Sequence, residues 1–134
     1  PHYSAALSIF NKYPIFGVGI KNFRIESSKK EYNYKEGNNY YYGWSTHPHQ
    51  IHFEFLSETG VFGYLAFILF FIYSIGRSLS LYFKSKNFYQ LSSILFILVS
   101  LLPLIPTGSF FTTYGASIFW LNFAIMTTVM PKKI

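Results

Sequence analysis

The sequence predicts an all-α membrane protein: a fragment of a polytopic helix bundle with about three transmembrane helices and a large N-terminal extracytoplasmic loop. Charged residues make up only 12% of the 134 residues, whereas aromatic residues reach 22%; soluble domains carry about 25% charged residues. Long runs without charge fill the second half of the chain, and the first fifty residues are polar and basic. High hydrophobicity and the absence of cysteine exclude a disordered tail and a disulfide-stabilised scaffold.

The loop, residues 1–50, is expected to begin with a short helix. Apolar residues at positions 3, 6, 7 and 10 repeat with helical spacing, which predicts a helix from Tyr3 to Lys12. Pro14 is expected to end it, because proline cannot donate the next helical hydrogen bond. This helix should lie on the membrane surface or pack on the apolar helices.

A glycine turn with two cations follows this helix. Gly17 and Gly19 predict a tight turn with accessible backbone N–H groups, and Lys21 and Arg24 come directly after it. Such donors beside a guanidinium suit a phosphate group. The alternative is a plain turn followed by an arginine that anchors at the membrane interface.

Three histidines precede the first apolar run. Pro48 is favoured at the first position of a helix, so we expect the helix to start there with Thr46 or His47 as its cap. His49 should face inward at the outer mouth of a cavity, where an imidazole can act as a general base. His52 is either a structural interface residue or a support for the site. A metal site is the rival interpretation, but the Asp or Cys partners common in such sites are missing, so no metal is predicted.

The predicted membrane spans are about 53–76, 91–106 and 110–130. The first contains an uncharged stretch, which together with its N-terminal flank reaches about 34 Å at 1.5 Å per residue. That length is enough for a hydrocarbon core of about 30 Å. Gly60 and Gly63 would share the inward face of this helix with His49 and allow another helix to approach closely.

The charges between the spans set the predicted topology. Segment 77–90 holds three basic residues and no acid, and Lys132 and Lys133 follow the third run, so both should face the cytoplasm. The basic loop then faces outward, where it meets anionic headgroups or an anionic substrate. Its Tyr- and Trp-rich patch at 32–44 is typical of an interfacial belt and could also stack on sugar rings. An outward loop meets no nucleic acid.

Two motifs resemble those of the O-antigen ligase and O-antigen polymerase superfamily. The first is PIFGVGIKNF at 14–23, and the second runs from HPHQ at 47–50 to ETGVFG at 58–63, in the order that the family shows. The resemblance covers roughly residues 5–130. It implies a multi-pass glycosyltransferase of the bacterial inner membrane with its active site facing the periplasm, of which this chain would be the C-terminal third.

The resemblance also implies a reaction and its site. The donor would be an undecaprenyl-diphosphate-linked glycan, the acceptor a glycan or the lipid A core, and neither metal nor cofactor would take part. The family's loop histidine falls on His49, with the role of activating the acceptor hydroxyl, and Arg24 would hold the diphosphate. Gln50 stands where the family usually has Asn. The expected set is catalytic His49 with substrate-binding Arg24, Lys21, Gly17, Gly19, Gln50 and His52.

A transporter or flippase subunit for the same lipid-linked glycan is the alternative function. It would also need outward basic residues. However, it predicts acidic or basic residues deep in the spans, and 61–75 and 91–130 contain none. It also gives no reason for a histidine at the cavity mouth.

Overall fold

The computed structural model describes residues 2–103 and 105–128, and this part of the chain is mostly helical, as predicted. A two-stranded antiparallel hairpin within the tyrosine-rich patch is the exception to the all-α expectation; Gly37 reverses the chain there at φ 59°. The elements are α1 (His2–Lys12), α2 (Phe23–Glu26), a 3₁₀ turn (Lys30–Tyr32), β1 (Tyr34–Glu36), β2 (Asn39–Tyr41), α3 (Ile51–Ser85), α4 (Phe88–Ser100) and α5 (Thr113–Thr127).

The predicted spans fall on α3, α4 and α5. By length and apolar composition, α3 is the one helix in the described part of the chain that could cross a membrane. It has 35 residues and continues to Ser85, nine residues beyond the predicted end at 76. Helices α4 and α5 are shorter, with 13 and 15 residues. Residues 129–134, which include the end of the third predicted span and both C-terminal lysines, lie outside the described residues. The number of spans and their orientation stay predictions.

Two apolar clusters hold the fold together. The larger one lies between α3, α4 and α5 and is rich in aromatic rings, such as Phe55 stacked on Phe67 at 3.9 Å between centroids. The smaller one joins the buried face of α1, centred on Ile9, to Phe23 and Tyr32 of the loop. Helix α1 therefore packs on α3 and the loop, in line with one of the two placements expected for it.

Helix α3 is interrupted at Gly60. This residue has φ 65° and ψ −168°, a conformation outside the helical region. Beyond the break, the N–H of Val61 donates to the carbonyl of Pro14 at 2.8 Å, and that of Phe62 donates to Ile15 at 3.5 Å. The prediction that Gly60 lines a helix–helix contact is wrong. Gly60 instead packs against the backbone of the loop at Ile15 and Phe16.

The carbonyl groups released by this break also have loop partners. A continuous helix would pair the Ser57 and Glu58 carbonyls with the N–H groups four residues later. Instead they accept from Val18 at 3.0 Å and from Gly19 at 2.8 Å. A Cβ on Gly17 would lie 2.4 Å from the Glu58 carbonyl carbon, so only glycine permits this approach. Four backbone hydrogen bonds thus join the two sequence motifs. All four N–H donors and all four carbonyl acceptors at the break are paired in this way.

Candidate functional site

The segment before α3 differs from the prediction. Helix α3 begins at Ile51 and not at Pro48, because the Gln50 side chain is its cap and accepts from the N–H of Phe53 at 2.9 Å. His49 has φ 60°, which turns the chain and keeps residues 48 and 49 out of the helix. His49 therefore does not share a helical face with the residues that follow it.

Gln50 and His52 make structural contacts in this arrangement. The amide of Gln50 donates to the carbonyl of Pro103 at 3.1 Å. The His52 ring bridges α3 to the end of α4, with Nδ1 at 3.0 Å from the Tyr64 hydroxyl and Nε2 at 2.8 Å from the Leu101 carbonyl. Both residues hold the histidine segment against the helices.

Three imidazole rings lie together outside α3. The rings of His47 and His49 are 4.1 Å apart between centroids, and the ring of His2 lies 5.3 Å from that of His49. His49 is exposed, and its Nε2 lies 3.3 Å from the Ser45 hydroxyl. Burial, and then the neighbouring His49 and His2, lower the pKa of His47. Across residues 2–103 and 105–128 no three His, Cys, Asp or Glu side chains form a metal-binding group.

A polar cavity of about 300 Å³ lies between the glycine turn, the histidine segment and α3. It brings the predicted Lys21 and Arg24 together with His47. The predicted catalytic residue His49 does not line this cavity, but its ring contacts that of His47. The side chains that matter for its chemistry are Lys21, Arg24, His47, Glu54, Glu58 and Ser109.

Lys21 and Arg24 differ from Lys12 and Lys29 of the same loop. Lys12 pairs with Glu31 at 2.8 Å, and Lys29 pairs with Glu26 at 2.5 Å, so glutamates neutralise part of the loop's charge. Within the described residues, neither Lys21 nor Arg24 has a carboxylate within ion-pair distance. Two cations that form no direct ion pair therefore line the cavity, together with the carboxylates of Glu54 and Glu58.

Gly17 and Gly19 contribute to the site through the close packing that a missing side chain permits. Their N–H groups donate to the carbonyls of Tyr13, at 3.0 Å, and Glu58, at 2.8 Å. The expected free donors are thus used within the protein. The glycines instead allow the turn to dock on α3, which places Lys21 and Arg24 at the cavity.

Two glutamates of the site were not predicted. Glu54 accepts from the Ser109 hydroxyl and from the N–H of Phe110, at 2.8 Å, and so fixes the turn that precedes α5. Glu58 accepts from backbone N–H groups of the glycine turn, and both carboxylates are buried at 2% exposure. Their spacing of four residues, which places both on one face of α3, was the available signal.

A second, apolar cavity of about 150 Å³ borders the polar one. It lies between α3, α4 and α5 and is lined by rings such as Phe96, Phe110 and Phe119. Ser109 lines both cavities, so the turn held by Glu54 separates them.

Comparison with known proteins gives one match. A family model described as O-antigen ligase matches residues 2–68, which is half of the chain. The match spans α1, the glycine turn, the histidine segment and the interrupted part of α3. No curated protein and no solved structure matches the chain.

Proposed function

Because the chain belongs to the O-antigen ligase family, we propose that it forms part of a membrane glycosyltransferase that transfers or polymerises a glycan carried on undecaprenyl diphosphate. The reaction would take place at the periplasmic face of the bacterial inner membrane, with a glycan or the lipid A core as acceptor. The observation that supports this most directly is the pair of unpaired cations, Lys21 and Arg24, beside His47 in one cavity. The docked motifs build that cavity.

The two cations act on the leaving group. Transfer breaks the bond between the anomeric carbon and a diphosphate oxygen, and negative charge collects on the departing polyprenyl diphosphate. The planar guanidinium of Arg24 can hold two of its oxygens at once, and the ammonium of Lys21 adds a point charge. Fixed cations that face the developing charge stabilise the transition state more than the ground state.

His49 receives the proton from the acceptor. As the acceptor oxygen forms its bond to the anomeric carbon, its proton passes to the neutral imidazole, a step that general bases accelerate by about 10²–10⁴. The exposed position of His49 leaves room for a large acceptor, and its ring contacts that of His47, which lines the cavity with Lys21 and Arg24. Gln50 and His52 support this role by anchoring the histidine segment to Pro103 and Leu101.

The apolar cavity suits the hydrocarbon end of the donor. A polyprenyl diphosphate is charged at one end and apolar immediately beyond it, and the two cavities meet at the Ser109 turn with the same change of polarity. Transport of the same lipid would also use the cations. However, glycosyl transfer needs a base that takes the acceptor proton, which the histidine pair can supply, whereas binding and moving a lipid needs none.

The experiment compares wild type with His49→Ala in cells that carry the full-length protein at matched membrane levels. Loss of the base should slow glycan transfer by about 10²–10⁴. The lipid-linked glycan pool should then grow, and the amount of attached or lengthened glycan should fall. The chain length of the wild-type product separates a polymerase from a ligase. Near-normal turnover in stably expressed His49→Ala protein would remove His49 from the reaction.

A further inference from the structure

We propose that Glu58 is the positioning residue for the donor-binding cations, an inference that rests on the glycosyl transfer proposed above. Both oxygens of its carboxylate hold the backbone of one turn. Oε2 accepts from the N–H of Lys21 at 2.7 Å, and Oε1 accepts from the N–H of Phe23 at 3.1 Å. The two bonds bracket residues 21–23, which begin with Lys21 and directly precede Arg24.

The turn needs this support, because its backbone is not stable by itself. Lys21 has φ 63°, a left-handed conformation that residues with a Cβ avoid. Helix α2 starts at Phe23 without a side-chain cap, since the Asn22 amide turns back to the Val18 carbonyl at 2.9 Å. The Glu58 carboxylate takes the place of that missing cap at the first N–H of α2.

The directions of both cations depend on these two bonds. Lys21 donates one of them through its own N–H, and Arg24 is the second residue of α2, directly after Phe23. Phe23 is fully buried and fixes the opposite side of the turn. A change at Glu58 would therefore rotate Lys21 and Arg24 together relative to the cavity, with little effect on the distant α4–α5 packing.

A carboxylate beside an anion site would ordinarily repel the ligand. Here each oxygen already accepts an N–H from the turn, so the carboxylate is directed at the protein backbone. Glu54 is bonded in a similar way to the turn at Ser109 and Phe110, on the other side of the cavity. Glu58 is thus the carboxylate that controls the cationic side.

The test uses the full-length protein in membranes and measures the rate of glycan transfer against donor concentration for wild type and Glu58→Gln. The amide keeps one acceptor and turns a donor toward the other N–H. We expect the donor KM to rise about tenfold or more, because the displaced cations hold the diphosphate less tightly. We expect kcat to fall as well, because the same cations stabilise the leaving group. Partial unfolding would lower the apparent kcat at unchanged KM, and that pattern would overturn the proposal.

Glu26→Gln is the matched control. Glu26 is a buried loop carboxylate that bonds the Tyr32 hydroxyl at 2.8 Å and Lys29, away from the cavity, so its substitution should leave the donor KM unchanged. An equal rise of KM in both variants would overturn the proposal, because it would show a general effect of loop carboxylates.

Glu58→Asp keeps the charge but shortens the side chain by one methylene. This variant tests the positioning role if Glu58→Gln does not reach the membrane. A raised donor KM in Glu58→Asp supports the positioning role, and a wild-type KM overturns it. If the wild-type protein itself does not consume the lipid-linked donor, the proposed function fails and the role of Glu58 with it. If wild type consumes the donor and the Glu58 variants keep the wild-type KM, the positioning role is refuted but the proposed function is not.

Discussion

Replacing Gly60 by alanine should destabilise the protein by about 3–5 kcal/mol. The backbone conformation of Gly60, φ 65° and ψ −168°, is one that residues with a side chain adopt at a cost of about 1–3 kcal/mol. The added Cβ would lie 2.3 Å from the carbonyl oxygen of Ile15 and 2.6 Å from the nitrogen of Phe16. These are backbone atoms, so the loop must move away.

That movement would weaken the hydrogen bonds of the docked motifs. Val61 and Phe62 each donate one bond to the loop across this contact, and each is worth about 1 kcal/mol. Added to the backbone strain, the loss amounts to a large part of the 5–15 kcal/mol that keeps a typical domain folded. The variant should therefore accumulate poorly, and the protein that remains should unfold at a lower temperature.

Thermal unfolding of the purified full-length protein in detergent measures the effect. Gly76→Ala is the matched control, because among the described residues no atom outside the neighbouring helix backbone lies within 4 Å of its added Cβ. Alanine in place of a helical glycine should stabilise α3 by up to about 1 kcal/mol. If Gly60→Ala unfolds at the wild-type temperature while Gly76→Ala behaves as expected, then docking of the two motifs is not a main source of stability.

Two further predictions concern charge. Arg24→Lys should raise the donor KM about tenfold or more, because a point charge does not replace a two-oxygen contact; a wild-type KM, measured in the same membrane assay, would make Arg24 an interfacial anchor. The second prediction is that His47 and His2 oppose folding on acidification, because burial lowers their pKa in the folded state. The unfolded chain then takes up protons at these residues first, so their contribution to stability is fully present above the ordinary value of 6.5 and is lost as the pH drops below it. Between pH 7.5 and 5.5 the unfolding temperature of wild type should therefore fall relative to that of His47→Gln; an equal change in both proteins contradicts the assignment to His47.

The features that could be predicted from sequence are those set by local patterns. The apolar spacing of α1, the turn at Gly17 and the long apolar run of α3 each depend on a few neighbouring residues, and the structure has all three. The grouping of Lys21 and Arg24 at one cavity also follows from their closeness in the chain.

What could not be predicted depends on contacts between distant residues. The break of α3 exists because residues 14–19 supply partners for the groups that Gly60 releases, more than forty positions along the chain. The apolar periodicity of the sequence predicts an unbroken helix there. Likewise, Glu54 is hydrogen-bonded to Ser109, and Gln50, the cap of α3, is hydrogen-bonded to Pro103, in each case more than fifty positions along the chain.

The exchange of hydrogen bonds between the two motifs also sets where the chain can vary in length. Each motif meets the other in a fixed register, so one residue inserted between Pro14 and Gly19, or between Ser57 and Phe62, would misalign every bond beyond it. The segment between the motifs has no such constraint at its hairpin, residues 34–41, because the four backbone bonds that join the motifs do not involve these residues. Insertions at Gly37 and Asn38 would lengthen the hairpin and leave the register intact. This loop can therefore change in size and sequence without any change in the register that joins the two motifs.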